Sequence, residues 1–326
     1  METRSIGGLS VSVVGLGCNQ FGTAGCDEAT SHKVVDEAIE SGITFFDIAD
    51  EYGMNYADPT DPEGWGRSEE ILGDALKGRR DQVVVASKFG IHPHADTQNR
   101  GGGSARWARL AIEDSLRRLQ TDRIDLYQLH MPDPTVPLEE TLGALQELVQ
   151  AGKVLEIGCA NINGKALREA AEIAASHGLP QFRSTQSALN LFKRTALDDE
   201  IPACEELGMV FIPYYPLASG MLTGKYKRGE TPQGTRLTEQ VTEEARQRLF
   251  NDRTFARLEA LEAFAQERGH TLLELAFAWL LAQPTVSTVI AGAAKPGQAA
   301  SNAGAAGWRL TPEEAALATK AVVDAV

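Results

Sequence analysis

Cysteine is scarce in this 326-residue chain, and its four cysteines do not form a recognisable set. They lie far apart, at Cys18, Cys26, Cys159 and Cys204. Their spacing is neither that of a disulfide framework nor that of a metal site. We therefore expect free thiols and a reducing, cytoplasmic location.

Long apolar runs and an excess of positive charge are also missing. No run approaches the roughly 20 residues that cross a bilayer. The N-terminal segment METRSIGGLSVSVVGLG lacks the basic and apolar regions of a secretion signal. The 31 Lys and Arg are outnumbered by 45 Asp and Glu, so the formal net charge is -14. Because an acidic surface repels phosphates and anionic lipid, we expect neither nucleic acid nor a membrane as a partner.

Motifs for a metal or for a Rossmann nucleotide site are incomplete. His92 and His94 have no identifiable third ligand and lie in a loop-like segment, so we predict no metal site. Gly15 and Gly17 fit the first two positions of a dinucleotide-binding fingerprint, but Gln20 stands at the third. No helical pattern follows directly to hold a pyrophosphate. The glycines instead indicate a strand end where the backbone passes close to another group.

What the sequence does contain is a regular alternation of apolar, strand-length runs with longer amphipathic segments. The strand-like runs occupy 12–17, 44–49, 82–88, 125–131, 154–161, 183–190, 209–217 and 286–292. The helical patterns occupy 29–41, 68–77, 104–120, 138–151, 165–177, 197–207 and 253–283. Such alternation indicates βαβ units and a parallel sheet. Eight units without a linker-like break predict one (β/α)₈ TIM barrel domain over residues 1–326, with an open doubly wound sheet as the alternative.

Three additions to the barrel are expected. A short hairpin should precede it at the N-terminus. The closing segment should form an extra helix, with Thr311 as N-cap, Pro312 at the first helical position and Glu314 three residues after the cap. Long loops at 53–67, 90–103 and 224–252 should lie at the C-terminal face, and loops of this length are usually functional or disordered.

Three successive predicted strands end in a polar, ionisable residue. Asp47, Lys88 and His130 stand at these ends, and Tyr52 follows Asp47 by five residues. Since a barrel interior favours branched apolar side chains, such a series needs a reason. Lys88 beside the Tyr52 phenol should lower its pKa, and Asp47 should keep the lysine charged. The set predicts a general acid, Tyr52, which the other three residues tune and orient.

At these residues the sequence resembles the aldo-keto reductase superfamily. The similarity is carried by FFDIADEYG, VVVASKFG and RIDLYQLH, and by GWGRSEEILGDAL, STQSALNLF, YYPLASGMLTGKY and VIAGAAKPGQAASN in the family's order. The resemblance implies a (β/α)₈ barrel that reduces aldehydes or ketones with an extended nicotinamide cofactor. It places the catalytic tetrad at Asp47, Tyr52, Lys88 and His130.

The resemblance also implies where the cofactor is bound. Asn161 and Gln186 match positions that bind the nicotinamide carboxamide, and Tyr214 matches the aromatic residue that stacks on the ring. The other implied contacts are Gly17, Cys18, Asn19 and Asp47 near the first strands, Pro216, Leu217, Ser219, Gly220, Leu222 and Lys225 in the pyrophosphate loop, and Gly292, Lys295, Gln298 and Asn302 at the adenosine end. Two positions where members often have serine are Ala160 and Tyr215 here.

Cofactor choice depends on positive charge near the adenosine 2′-phosphate. The position where many members place an arginine is Gln298, and the candidates to replace that charge are Lys295, Lys225 and Arg236. Lys225 and Arg236 resemble basic positions in members that bind NADPH with glutamine at that place. We expect NADP(H) to be preferred over NAD(H), with a small carbonyl or alcohol as substrate. The alternatives are an NAD-dependent sugar or alcohol dehydrogenase and a nicotinamide-binding regulatory subunit.

Overall fold

The computed structural model describes residues 1–53, 64–91, 102–230, 234, 237 and 242–325. An antiparallel hairpin of β1 (Thr3–Ile6) and β2 (Leu9–Ser12) comes first, as predicted. Eight parallel strands follow. They are β3 (Val14–Gly17), β4 (Phe45–Asp47), β5 (Val84–Phe89), β6 (Ile124–Leu129), β7 (Val154–Ala160), β8 (Ser184–Ala188), β9 (Val210–Tyr214) and β10 (Val289–Gly292).

The order of these strands in the sheet follows their order in the chain. The last strand, β10, pairs in parallel with the first, β3. On the other side, a parallel bridge joins Phe211 of β9 to Val286, just before β10. The sheet is therefore a nearly closed barrel, which confirms the predicted (β/α)₈ fold. The doubly wound alternative is wrong, because its strand order would reverse.

Alternation along the strands sorts side chains between the barrel interior and the surrounding helices. In β6, Leu126 belongs to the small interior cluster, whereas Tyr127 packs in the large cluster under the helices. The N-terminal hairpin contributes Ile6 and Val11 to that interior cluster. The hairpin thus plugs one end of the barrel.

Gly15 has a packing role in this arrangement. A Cβ atom at Gly15 would lie 2.8 Å from the ring of Phe45, which fills the barrel interior. The glycine is therefore required by the neighbouring strand. This fits the interpretation of the N-terminal glycines as a close backbone approach.

Helices surround the barrel at the predicted places, with three differences. The helices of the described residues are α1 (Glu28–Glu40), α2 (Arg67–Ala75), α3 (Ala105–Leu119), α4 (Leu138–Gln150), α5 (Gly164–His177), α6 (Glu200–Leu207), α7 (Glu243–Leu249), α8 (Asp252–Gln266), α9 (Leu272–Leu281), α10 (Gln298–Ala305) and α11 (Pro312–Asp324). Helix α7 lies inside the segment expected to be a loop, and α10 was not predicted. None of the helices within the described ranges is both long and apolar enough to cross a bilayer.

The single helix expected over 253–283 is wrong, because two helices occupy that range. Gly269 has φ +76°, in the left-handed region, and it lies between α8 and α9. Thr271 then caps α9 through a reciprocal capping box with Glu274. The terminal helix α11 begins with the predicted cap, in which Thr311 accepts a hydrogen bond from the backbone of Glu314.

Candidate active site

The side chain of Lys88 is the centre of a polar cluster at the C-terminal end of the barrel. It is 0% exposed, and its Nζ donates to Asp47 Oδ2 at 2.7 Å. The same ammonium donates to the carbonyl oxygen of Ile48 at 2.9 Å and to the hydroxyl of Tyr52 at 3.3 Å. Asp47 and Lys88 lie on the adjacent strands β4 and β5. Parallel strands bring their C-terminal ends together, and for this reason the sequence pattern could predict the cluster.

The carboxylate of Asp47 is held on its other side by side-chain amides. Gln186 Nε2 on β8 donates to Asp47 Oδ1 at 2.8 Å, and Gln128 Nε2 on β6 approaches the same oxygen at 3.5 Å. Gln128 was not among the predicted site residues. The signal that could have found it is alternation, since it follows inward-facing Leu126 by two positions. These partners hold the carboxylate in place beside Lys88.

The phenol of Tyr52 does not have the lowered pKa that the sequence suggested. Burial raises its pKa well above the usual range, and the carboxylates of Asp47 and Glu51 raise it further. The expected net lowering of this pKa is wrong, because burial outweighs the influence of an ammonium that is already paired with Asp47. The hydroxyl therefore keeps its proton. Since Lys88 donates to the phenol oxygen, the phenol O–H remains available to a ligand.

His130 lies beside Tyr52 as a neutral imidazole. The two rings meet edge to face with their centroids 6.0 Å apart. Burial lowers the pKa of His130 to about 3, and the Lys88 ammonium adds to this effect. At physiological pH the ring is uncharged, so one of its nitrogens donates a hydrogen bond and the other accepts.

Asn161 and Tyr214 are joined to each other at the edge of the cluster. The Tyr214 hydroxyl donates to Asn161 Oδ1 at 2.9 Å, and Asn161 Nδ2 donates to the backbone carbonyl of His130 at 3.0 Å. Asn161 itself has φ +57°, a left-handed conformation that asparagine tolerates better than most residues. The chain after β7 thus turns its amide towards the cluster. This link between Asn161 and Tyr214 was not predicted.

The segment after β9 has an unusual backbone. Tyr215, Ala218 and Ser219 have φ values of 62°, 47° and 57°, and Gly220 follows at 89°. The hydroxyl of Tyr215 pairs with Ser219 Oγ at 2.7 Å, which braces the turn. Left-handed residues other than glycine cost free energy, and they cluster at active sites, ligand clamps and switch regions. Among the other residues predicted in this segment, Pro216 is buried and Leu217 is half-buried. The side chain of Leu222 lies in the core, so only the backbone of Leu222 could contact a ligand.

Two lysines near this segment lie close enough to repel each other. Burial lowers the pKa of Lys225, and the positive charge of Lys295 lowers it further. Lys225 also lies over the loop backbone, because a Cβ atom at Gly220 would be 2.7 Å from its Nζ. Lys295 Nζ donates to the carbonyl oxygen of Gly234 at 3.2 Å. Two neighbouring ammonium groups are better tolerated when an anion lies between them.

The start of α10 is already occupied by a carboxylate. Glu37 of α1 accepts from the backbone nitrogen of Gly297 at 2.5 Å and from that of Ala300 at 2.7 Å. The amide oxygen of Gln298 accepts from the backbone nitrogens of Ala294 and Lys295. Asn302 is buried on the same helix. Because Glu37 takes the helix terminus, an anion bound nearby must rely on side-chain charge.

The remaining predicted cofactor contacts lie around the first and last strands. Gly17 of β3 pairs in register with both Asp47 and Gly292. Cys18 is fully buried and donates its backbone N–H to the carbonyl oxygen of Asp47 at 2.9 Å. Asn19 Oδ1 would lie 3.8 Å from a Cβ atom at Gly292. These residues therefore form one edge of the barrel mouth.

Some of the predicted residues lie outside the described part of the chain. These are Arg236, the pair His92 and His94, and much of the loops 53–67 and 90–103. Within the described residues no group of three or more His, Cys, Asp or Glu could hold a metal ion.

The side chains that meet at the barrel mouth provide a proton-bearing phenol, a buried ammonium, a neutral imidazole and nearby amides.

Comparison with known proteins places this geometry in context. Residues 13–322 match the profile of the Aldo/keto reductase family. The chain is 35% identical over 322 residues to aldo-keto reductase YhdN of Bacillus subtilis (strain 168), covering 96% of this chain and 91% of that protein. It is 31% identical over 309 residues to a probable voltage-gated potassium channel subunit beta of Oryza sativa subsp. japonica, covering 93% and 90%.

A solved structure gives the same picture. The glycerol dehydrogenase AKR11B4 from Gluconobacter oxydans is similar with a TM-score of 0.82 and 31% sequence identity. The similarity covers 99% of this chain and 96% of that one. The likeness therefore extends over nearly the full length of both chains.

Proposed function

Since this chain belongs to the aldo/keto reductase family, we propose that it is an NADPH-dependent reductase of aldehydes or ketones in which Tyr52 donates a proton to the substrate oxygen. Membership of the family makes it an NAD(P)H-dependent oxidoreductase. The observation that carries the proposal is the buried ammonium of Lys88, which lies between the Asp47 carboxylate and the Tyr52 phenol oxygen.

The residues at the barrel mouth fit a nicotinamide nucleotide. Asn161 and Gln186 present amides, and Tyr214 presents a ring that is half-buried at the edge of the cluster. The repelling ammonium groups of Lys225 and Lys295 fit an anionic group such as the phosphates. When bound, the reduced cofactor supplies a hydride to the carbonyl carbon. Gly17, Cys18, Asn19 and Gly292 would lie along its path.

The protein's own groups account for the proton. The Tyr52 phenol keeps its proton because burial raises its pKa. When that proton moves to the substrate oxygen, the phenolate that remains accepts from the Lys88 ammonium. Asp47 holds the ammonium in position through its ion pair. The ammonium thus stabilises the tyrosine in its deprotonated form and opposes the effect of burial, which remains the larger influence on the pKa of the phenol.

Turnover is the direct test of this proposal. A panel of aldehydes, ketones and sugars should be reduced with loss of NADPH absorbance, and the corresponding alcohols should be oxidised with NADP⁺. Failure of every compound with either cofactor in both directions would contradict the proposal. It would favour the regulatory, nicotinamide-binding alternative, which the similarity to a potassium channel subunit beta supports.

Alcohol oxidation is the second candidate, and the similarity to a glycerol dehydrogenase supports it. The same four side chains serve both directions, because a base that accepts the alcohol proton is the acid that donates it in reverse. The ratio of the reduction rate to the oxidation rate decides the physiological direction.

We also propose a cytoplasmic location, which is supported by the four cysteines being buried and unpaired.

The preference for NADPH rests on positive charge at the adenosine end. A 2′-phosphate carries about -1.5 to -2 charges and needs cationic side chains. The α10 terminus does not supply this charge, because Glu37 occupies it. Lys225 and Lys295 support the preference by their proximity, and Arg236 joins them through the resemblance. Gln298 stands where many family members have an arginine. The discrimination between NADPH and NADH should therefore be weaker than with an arginine at that position.

We expect Arg236→Ala to raise the dissociation constant of NADPH by about ten- to a hundredfold, which corresponds to one lost charge-assisted contact. NADH affinity should barely change, since NADH has no 2′-phosphate. Fluorescence titration of both cofactors measures this. Arg228→Ala is the matched control, because Arg228 pairs instead with Glu259 at 2.9 Å. Equal affinity of the native protein for both cofactors would contradict the NADPH preference. The same titrations on Lys225→Ala and Lys295→Ala rank the three cations by their contribution to NADPH affinity.

Substitutions at Tyr214 separate its ring from its hydroxyl. Tyr214→Ala should weaken binding of the reduced cofactor roughly tenfold, because stacking contributes about 0.5–1.5 kcal/mol beyond burial. Tyr214→Phe should keep the ring contact and lose only the bond to Asn161. Cofactor titration beside a melting curve checks this. A drop in melting temperature without a cofactor defect would assign the tyrosine to packing alone.

A further inference from the structure

Glu51 lies inside the proposed active site without a role in the mechanism above. It precedes Tyr52, and its side chain is 13% exposed. Its Oε1 atom lies 3.6 Å from Nδ1 of His130, whose side chain is 12% exposed. Glu51 stands in the segment FFDIADEYG but was not a predicted site residue. A partly buried carboxyl group beside the imidazole of the cluster therefore needs an explanation.

The nitrogen that faces Glu51 has an unmet hydrogen-bonding requirement. His130 Nδ1 is buried and has no hydrogen-bond partner in the described part of the chain. Leaving a buried polar atom unpaired is costly. The gap of 3.6 Å is too long for a hydrogen bond, but a small rotation of the Glu51 side chain would close it. Hydrogen bonds in active sites often tighten when ligands bind.

We propose that Glu51 is a positioning residue that hydrogen-bonds Nδ1 of His130 and thereby sets which nitrogen of the imidazole carries the proton. This inference rests on the proposed function, and it adds that Nε2 of His130 hydrogen-bonds the substrate oxygen. It concerns the geometry and protonation of the imidazole rather than direct contact between Glu51 and the substrate.

The two states of Glu51 give His130 opposite roles. A protonated Glu51 donates to Nδ1, so Nε2 carries the hydrogen and can donate to a carbonyl oxygen. An ionised Glu51 accepts from Nδ1–H, so Nε2 has a free lone pair and can no longer donate to a carbonyl oxygen. Only the first state therefore lets His130 stabilise the substrate oxygen during carbonyl reduction.

The surroundings of Glu51 raise its pKa, so the carboxyl group stays protonated to higher pH. Its charged and titratable neighbours are Lys88 on β5, His130 after β6, and Tyr52 and Asp50 on its own loop. Burial raises the pKa of Glu51, and Lys88 partly opposes this. His130 itself stays neutral, since its pKa is about 3. As pH rises and Glu51 loses its proton, the imidazole should follow by changing tautomer.

Nitrogen NMR of ¹⁵N-labelled histidine tests the tautomer without any substrate. His130→Gln identifies the His130 signals among those of the six histidines. In the native protein the protonated nitrogen should change from Nε2 to Nδ1 as pH rises, and in Glu51→Gln this change should disappear. Glu70→Gln is the matched control, because Glu70 is a partly exposed carboxyl on α2 paired with Arg67. A tautomer that is constant in the native protein, or a change that persists in Glu51→Gln, would overturn the inference.

Kinetics provide the second measurement. Glu51→Ala should lower kcat for reduction about two- to tenfold with little change in KM, as expected for one lost hydrogen bond. Glu51→Gln, which cannot titrate, should remove the dependence of kcat on Glu51 protonation. In a His130→Ala background, Glu51→Gln should not change kcat any further. An equal effect in both backgrounds would overturn the inference. Absence of turnover in the native protein would contradict the proposed function but leave the NMR result readable.

Discussion

Tyr52→Phe should lower the rate of carbonyl reduction by about 10²–10⁴-fold, the usual contribution of a general acid. The substitution removes only the hydroxyl that accepts from Lys88. Lys88 keeps its bonds to Asp47 and to the carbonyl of Ile48, so the buried ammonium remains paired. Cofactor affinity and the free energy of unfolding should therefore change little. Single-turnover rates measured with saturating NADPH check the chemical step directly.

Tyr127→Phe is the matched control for this experiment. Tyr127 is also a buried tyrosine, but it lies on the outer side of β6 and stacks on Phe89 with the ring centroids 4.8 Å apart. Its hydroxyl has no hydrogen-bond partner among the residues that the structure describes. Loss of this hydroxyl should leave the rate unchanged. Near-normal turnover by Tyr52→Phe would show that another group supplies the proton.

The fold and the centre of the site could be predicted because both follow from local rules. Eight apolar runs alternating with amphipathic segments leave few topologies, and a barrel is one of them. In a parallel barrel the C-terminal ends of the strands meet at one face. Polar residues at successive strand ends, such as Asp47, Lys88 and His130, therefore had to lie close together. The resemblance to the family added the cofactor residues.

What could not be predicted depends on distances that the sequence does not contain. The pKa of Tyr52 is raised because burial outweighs the influence of an ammonium that is already paired. The bond between Tyr214 and Asn161 joins residues 53 positions apart on neighbouring parts of the rim. The sequence gives no sign of a role for Glu51, because Glu51 and His130 become neighbours only when β4 and β6 lie in one barrel. Helix α9 is different, since its capping box at Thr271 was readable from the sequence.

Lys88→Met should affect stability and catalysis together. The substitution leaves the buried carboxylate of Asp47 without its cation, and breaking a buried ion pair costs about 3–5 kcal/mol. Reduction should fall by about 10²–10³-fold, because the phenolate formed at Tyr52 loses the ammonium that stabilises it. Chemical denaturation and single-turnover kinetics measure the two effects.

The double variant Asp47→Asn with Lys88→Met separates these two effects. Removing both charges leaves no isolated buried ion, so most of the lost free energy of unfolding should return. The asparagine introduced at position 47 can still accept from Gln186, which bonds Asp47 Oδ1 at 2.8 Å in the native protein. Activity should not return, because the proton transfer still lacks its ammonium. If the double variant regained activity along with stability, Lys88 would act only as a structural partner of Asp47, and the proposed role of the ammonium beside Tyr52 would be wrong.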